Sequence, residues 1–112
     1  MAEALTSKRC VPCEGGIPAL SEEEIAPLLA QLDGWNVVGG KRLAKTYHFP
    51  DFVQALAFVN RAGAIAEDEG HHPDLYLTWG KVGVELTTHA IGGLSENDFI
   101  LAAKLDAAHK SS

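Results

Sequence analysis

The chain has 112 residues, 46% of them apolar and 21% charged, with a formal net charge of -6: enough for one hydrophobic core but not two, and too apolar for wholesale disorder. Its nine Lys and Arg residues are scattered, which excludes the clustered basic surface that nucleic acid requires. No apolar run approaches the roughly 20 residues that span a bilayer and no secretory h-region opens the chain, so a soluble, cytoplasmic protein without a membrane partner is expected.

Residues 1–19 read as an irregular N-terminal extension and 20–110 as the folded domain. The extension holds both cysteines, Cys10 and Cys13, in a C-x-x-C spacing flanked by Pro and Gly. A thioredoxin-type pair follows a strand and opens a helix, a context not evident here. A zinc site would need two further ligands, which only distant histidines could supply. Reduced thiols on a cytosolic tail are the plain alternative.

Ser21-Glu22-Glu23-Glu24 is a capping box, and Leu20 and Ile25 occupy the staple positions. A helix is expected from there to about Leu32, kinked at Pro27 and stopped by Asp33-Gly34. Trp35–Val38 and Arg42–Phe49 look like strands joined by Gly39-Gly40, with Leu43, Lys45, Tyr47 and Phe49 on one face. Asp51 then caps the longest helix, with Gln54 placed to complete a box. Its apolar stripe reads as Phe52, Ala55, Leu56, Val59, Ala62 and Ala66. Gly63 falls on the same stripe, where it would let another backbone approach closely. Gly70 is the expected stop.

Leu75–Trp79 and Lys81–Thr88 form a hairpin around Gly80, with Val82, Val84, Leu86 and Thr88 on one face and Lys81, Glu85, Thr87 and His89 on the other. The last helix starts at Ser95, with a box to Asp98 and a staple from Leu94 to Phe99, and runs to about His109. The order α-β-β-α-β-β-α predicts a single α+β domain: a four-stranded antiparallel sheet with three helices packed on one face.

The acidic run Glu67-Asp68-Glu69 closes the longest helix, where the dipole already gathers negative charge and a cation would be preferred. Such breaks with local consistency mark functional sites, and acids there favour the charged form of nearby imidazoles. Directly after come His71, His72 and Pro73. The proline holds His72 extended, so the two imidazoles diverge and should do different work. His89 lies where a strand gives way to the loop Ala90-Ile91-Gly92-Gly93, a common place for a site residue. His48, near a strand end, and His109, in the last turn of the final helix, read as surface residues.

The pattern Glu67-x-x-x-His71-His72-Pro73, with Trp79, His89 and Asp98 at their spacings, resembles the signature of the pterin-4a-carbinolamine dehydratases, also called 4a-hydroxytetrahydrobiopterin dehydratases. The likeness continues through Lys45-Thr46-Tyr47-His48-Phe49 and Asp51-Phe52, and covers roughly residues 20 to 108. Cys10-Val11-Pro12-Cys13-Glu14-Gly15-Gly16 also looks like an extension seen in bacterial members. Leu75 departs from the family, which often has an aromatic residue there.

The resemblance implies dehydration of a 4a-hydroxy-tetrahydropterin to the quinonoid dihydropterin and water, without a metal or organic cofactor. An acid protonates the departing oxygen while a base takes a ring-nitrogen proton. It implies His71 and His89 as acid and base, in either order, and His72 mainly holding the pterin. Pro73, Thr88, Ala90 and Ile91 would line the pocket with the histidines, and Glu67 and Asp98 would orient and charge the imidazoles. A homodimer or homotetramer is implied as well. Two rivals are a binding module of the dimerisation-cofactor kind and a metal protein using Glu67, His71, His72 and His89. The physiological pterin is open between hydroxylase cofactor recycling and molybdopterin metabolism.

Overall fold

The computed structural model describes residues 5–10 and 18–110, so Cys13 lies outside the described residues. Three α-helices, α1 (Glu22–Leu29), α2 (Phe52–Glu69) and α3 (Glu96–Lys110), alternate with strand pairs β1 (Asn36–Val38) and β2 (Arg42–His48), then β3 (Asp74–Thr78) and β4 (Lys81–Leu86). Short 3-10 turns cover Leu5–Ser7 and His89–Ile91. The sheet runs β1-β2-β4-β3 and every neighbouring pair is antiparallel. The α2 crossover therefore returns the chain to the far edge, and β4 closes the gap between β2 and β3. Among the described residues no helix is long and apolar enough to cross a membrane.

The capping box of α1 closes in both directions: Ser21 Oγ accepts from the Glu24 N–H, and Glu24 Oε1 accepts from the Ser21 N–H at 2.9 Å. The helix ends at Leu29 rather than Leu32. Pro27 offers no N–H to the carbonyl four residues back, and the chain beyond tightens into i,i+3 bonds from Gln31 to Leu28 and from Leu32 to Leu29.

One core joins all three helices to one face of the sheet. Leu43 and Tyr47 from β2 and Val82, Val84 and Leu86 from β4 meet Ile25, Phe58 and the α3 residues Phe99, Leu101 and Leu105. Each such fully buried large side chain contributes about 1.5–3 kcal/mol. Pairing keeps these residues in register: Leu43 lies opposite Leu86, and Val82 lies opposite both Tyr47 and Leu77. Leu5 is buried in the same core, so residues 5–10 pack on the domain.

The stripe on α2 is rotated from the expected one. Ala55, Phe58, Ala62, Ala66 and Glu69 are its buried residues, while Phe52 and Leu56 are 42% and 40% exposed. Apolar residues surround enough of this helix that periodicity fits two overlapping stripes, and the aromatic ring of Phe58 fills the core. Gly63 is correspondingly exposed, and a Cβ there would meet nothing within 4 Å. Among the described residues no other backbone approaches it.

Lys45 sits on the inner face of β2 and needs a buried counter-charge. Asp106 of α3 supplies it, at 2.8 Å from Lys45 Nζ, and also accepts from Trp35 Nε1 at 3.0 Å and from the Tyr47 hydroxyl. Lys45 donates as well to the Asp33 carbonyl at 2.7 Å. Burial, then the Asp106 carboxylate, push the Tyr47 hydroxyl far above its ordinary range. His109 is not the surface cation expected: its ring packs against Tyr47, Phe49 and Phe58. Burial and the charge of Lys45 hold its imidazole below the usual histidine value, despite Asp106.

Candidate active site

The histidine pair is placed by the end of α2. Gly70 adopts a left-handed conformation at φ 67°, the His71 N–H bonds to the Ala66 carbonyl and the Gly70 N–H to the Glu67 carbonyl. These are the two bonds of a Schellman turn, which glycine permits at little cost. The chain leaves the helix sharply, and the two imidazoles separate as extended backbone requires. His71 turns inward, its side chain 13% exposed; His72 stays out, at 63%.

Each imidazole meets its own carboxylate. His72 Nε2 lies 2.8 Å from Glu67 Oε1, one turn back on α2, in a solvent-exposed pair. His71 Nε2 lies 2.6 Å from Asp98 Oδ1, and the Asp98 side chain is wholly buried. The other Asp98 oxygen accepts from the Thr88 hydroxyl at 2.9 Å and from the Ser95 N–H at 3.0 Å. Asp98 thus caps α3 and grips His71 with one carboxylate. The Ser95 hydroxyl lies 2.7 Å from Thr88 Oγ1, which extends the network one step further.

Thr88 carries this network to the third histidine. It follows β4 and shares a bridge with Gly93, and between them His89–Ile91 form a 3-10 turn closed by Gly92. His89 and Ala90 are exposed on this turn; Ile91 and Pro73 are half-buried. The base of the loop is braced by the chain ahead of α1. Leu20 N–H bonds to the Leu94 carbonyl at 2.9 Å, and a Cβ on Gly93 would stand only 2.7 Å from Ala19 Cβ. Glycine at 93 is the condition for that close approach.

His71 and Thr88, from separate segments, are therefore joined on Asp98, and His89 is the next residue after Thr88. His72 and Glu67 form a separate outer pair. The acidic run does not act as one cluster: Glu67 faces His72, Asp68 pairs with Arg9 at 3.5 Å, and Glu69 points into the protein. Sequence reasoning missed Ser95 as a member of the hydroxyl network and Glu69 as a buried group. Both had a signal, since the inner-face position of Thr88 demanded a partner for its hydroxyl, and Glu69 falls on the helical row Ala55, Phe58, Ala62, Ala66.

The cysteine and metal readings gain nothing from this geometry. Burial first, and the Glu69 carboxylate next, push the Cys10 thiol up to about 12, which keeps it protonated and a poor nucleophile at neutral pH. Among the described residues no three His, Cys, Asp or Glu side chains gather closely enough to hold an ion.

The profile of the pterin 4 alpha carbinolamine dehydratases matches residues 18–108. The chain belongs to that family. A Nitrosospira multiformis protein provisionally named pterin-4-alpha-carbinolamine dehydratase is 55% identical over 102 residues, which span 91% of this chain and 89% of the relative. A Rickettsia canadensis protein under the same provisional name is 54% identical over 92% of this chain and 95% of its own. Among solved structures, a transcriptional coactivator/pterin dehydratase from Brucella melitensis superposes with a TM-score of 0.76 at 35% identity, covering 80% of this chain and 97% of its own. A pterin dehydratase-like protein identified as a RuBisCO assembly factor in the alpha-carboxysome superposes at 0.61 with 26% identity, over 71% and 94%. The descriptions of these two neighbours thus name coactivator and assembly roles beside pterin dehydration.

Proposed function

We propose that this protein is a hydro-lyase that dehydrates a 4a-hydroxy-tetrahydropterin to the quinonoid dihydropterin and water, in tetrahydropterin recycling in the cytoplasm. The observation that carries the reading is the Asp98 carboxylate, buried and divided between His71 and Thr88, the residue before His89. A buried acceptor with a hydroxyl and a main-chain N–H already on it fixes the imidazole it holds. Of the described histidines, His71 is the one held by this buried hub.

The reaction needs one acid and one base. A proton passes to the 4a oxygen, the C4a–O bond breaks with its electron pair leaving as water, and a ring nitrogen loses its proton as its lone pair closes the C=N bond. His71 and His89 take the two proton roles, and the step balances without a metal ion or organic cofactor. His72, restrained by Glu67, helps hold the pterin. Pro73, Thr88, Ala90 and Ile91 line the site with main-chain donors and acceptors.

In an assay of carbinolamine breakdown, the wild-type protein is active, and His71→Ala and His89→Ala each lose on the order of 10²-fold or more in kcat with unchanged circular dichroism. Full activity in both variants would remove the proposal. We also infer a homodimer or homotetramer, because β1 and β3 leave two sheet edges to be covered; light scattering reads this directly. The second reading is a binding module. It draws on the coactivator and assembly-factor descriptions of the two structural neighbours and on the exposed Phe52, Val53 and Leu56 of α2. A binding role of that kind survives the loss of His71.

A further inference from the structure

Glu69 is a buried charge for which the dehydration step has no use. Its side chain is only 2% exposed, and an isolated carboxylate in such a place is strongly disfavoured unless fully paired. The pairing is provided. Oε2 lies 2.7 Å from Lys104 Nζ of α3 and 3.8 Å from Arg9 Nη1, and Oε1 accepts from the Cys10 N–H at 2.8 Å. Burial alone would raise this carboxyl, but the hydrogen bonds from Lys104 and Cys10 and the charges of Lys104 and Arg9 hold it below the usual carboxylate range.

The places these bonds join are the two sides of the candidate site. Glu69 is two residues before His71, at the point where α2 ends in its left-handed turn. Lys104 is on α3, which also carries Asp98. Cys10 connects the same two elements a second time: its N–H holds Glu69 while its thiol donates at 3.5 Å to the carbonyl of Asn97, the residue beside Asp98. A bond of 2.6 Å between His71 and Asp98 requires the end of α2 and the start of α3 to be fixed relative to each other.

We infer that Glu69 is a positioning residue for His71: gripped by Lys104 and by the Cys10 main chain, it locks the last turn of α2 against α3 and so sets the His71–Asp98 contact. Its kinetic consequence rests on the dehydratase reading above; its geometric consequence does not. Residues 5–10 acquire a task by the same route, as a strap that ties the end of α2 to α3. The cysteine serves through its main-chain N–H to Glu69 and its thiol bond to the Asn97 carbonyl.

The test uses the full-length protein and the variants Glu69→Gln, Lys104→Met and Lys104→Arg, read by the ring 15N signals of the histidines and by steady-state kinetics. Glu69→Gln and Lys104→Met are expected to shift or broaden the His71 ring signals while those of His48, exposed on β2, stay in place. Their kcat falls roughly tenfold to a hundredfold, as small misplacements of a reacting group do, with KM within about twofold because His72 and the pocket main chain are untouched. Lys104→Arg keeps the charge and restores both readouts toward wild type. Should Glu69→Gln and Lys104→Met lower the melting temperature yet leave the His71 signals, kcat and its pH profile as in wild type, Glu69 is a brace for the fold alone and the inference fails. If Glu69→Gln does not fold, Lys104→Met carries the test, since its side chain lies nearer the surface at 17% exposure. Wild-type protein inactive on the carbinolamine would overturn the dehydratase reading, and the His71 signals would still decide the positioning one.

Discussion

Asp98 and Asp106 are buried carboxylates eight residues apart on α3, about 12 Å along the helix, and each gathers three partners. Asp106 binds Trp35, Tyr47 and Lys45: an indole, a phenol and an ammonium. Asp98 binds a hydroxyl, a main-chain N–H and an imidazole that keeps an edge toward solvent. Saturation and burial are thus shared by a structural and a candidate catalytic centre. What separates them is the imidazole among the partners of Asp98, the side-chain type most used for proton transfer, with an edge toward the outside.

The sharpest way to break this comparison is to neutralise both acids. Asp98→Asn is expected to lower kcat on the order of 10²-fold by freeing His71 from its orientation, with a modest loss of stability. Asp106→Asn strips Lys45 of its counter-charge and is expected to cost about 3 kcal/mol in denaturant unfolding, with kcat of the folded fraction within about twofold. Equal activity losses from the two would dissolve the distinction. A finer cut is Thr88→Val, which removes one hydroxyl from Asp98 and leaves a buried acceptor short. Stability should fall by about 1–2 kcal/mol, and kcat should fall less than in Asp98→Asn.

The smallest effect belongs to His109, beside Asp106. Its folded value is lowered below the unfolded 6.5, so the unfolded chain binds the proton more readily and stability declines as pH falls from above 6.5 through the folded value. His109→Phe keeps a ring against Tyr47 and Phe58 and should flatten that part of the melting-temperature profile. A slope unchanged by the substitution would place the titration elsewhere.

Much of the architecture was legible because its signals are local. Ser21, Asp51 and Gly70 act within one turn of chain, and strand alternation put Val82, Val84, Leu86 and Thr88 on the inner face where they lie. The long helix was harder, since Phe52, Leu56 and Phe58 are equally apolar and only the core decides between Phe58 and its exposed neighbours. The Asp106 network was invisible for a different reason: Trp35 and Tyr47 reach it from 71 and 59 residues away, and no spacing rule joins them. The candidate site was legible in its residues but not in its division. Sequence put three acids beside the histidines, while the helical rotation of α2 sends one to His72, one to Arg9 and one inward to Lys104. His71 instead takes its carboxylate from a helix 27 residues later.

The contact of Ala19 with Gly93 has a practical side. A shortened version of the chain that begins at Ser21 would lack Leu5 in the core and the Cys10 bond to Glu69, yet its sequence would still encode every helix of eight residues or more and all four strands. It would nevertheless give up the main-chain bond from Leu20 and the methyl wall of Ala19, and the stretch bearing His89 would stand without its neighbour. Removal of Ala19 and Leu20 is accordingly an intervention on His89, although they lie 69 or more positions away along the polypeptide.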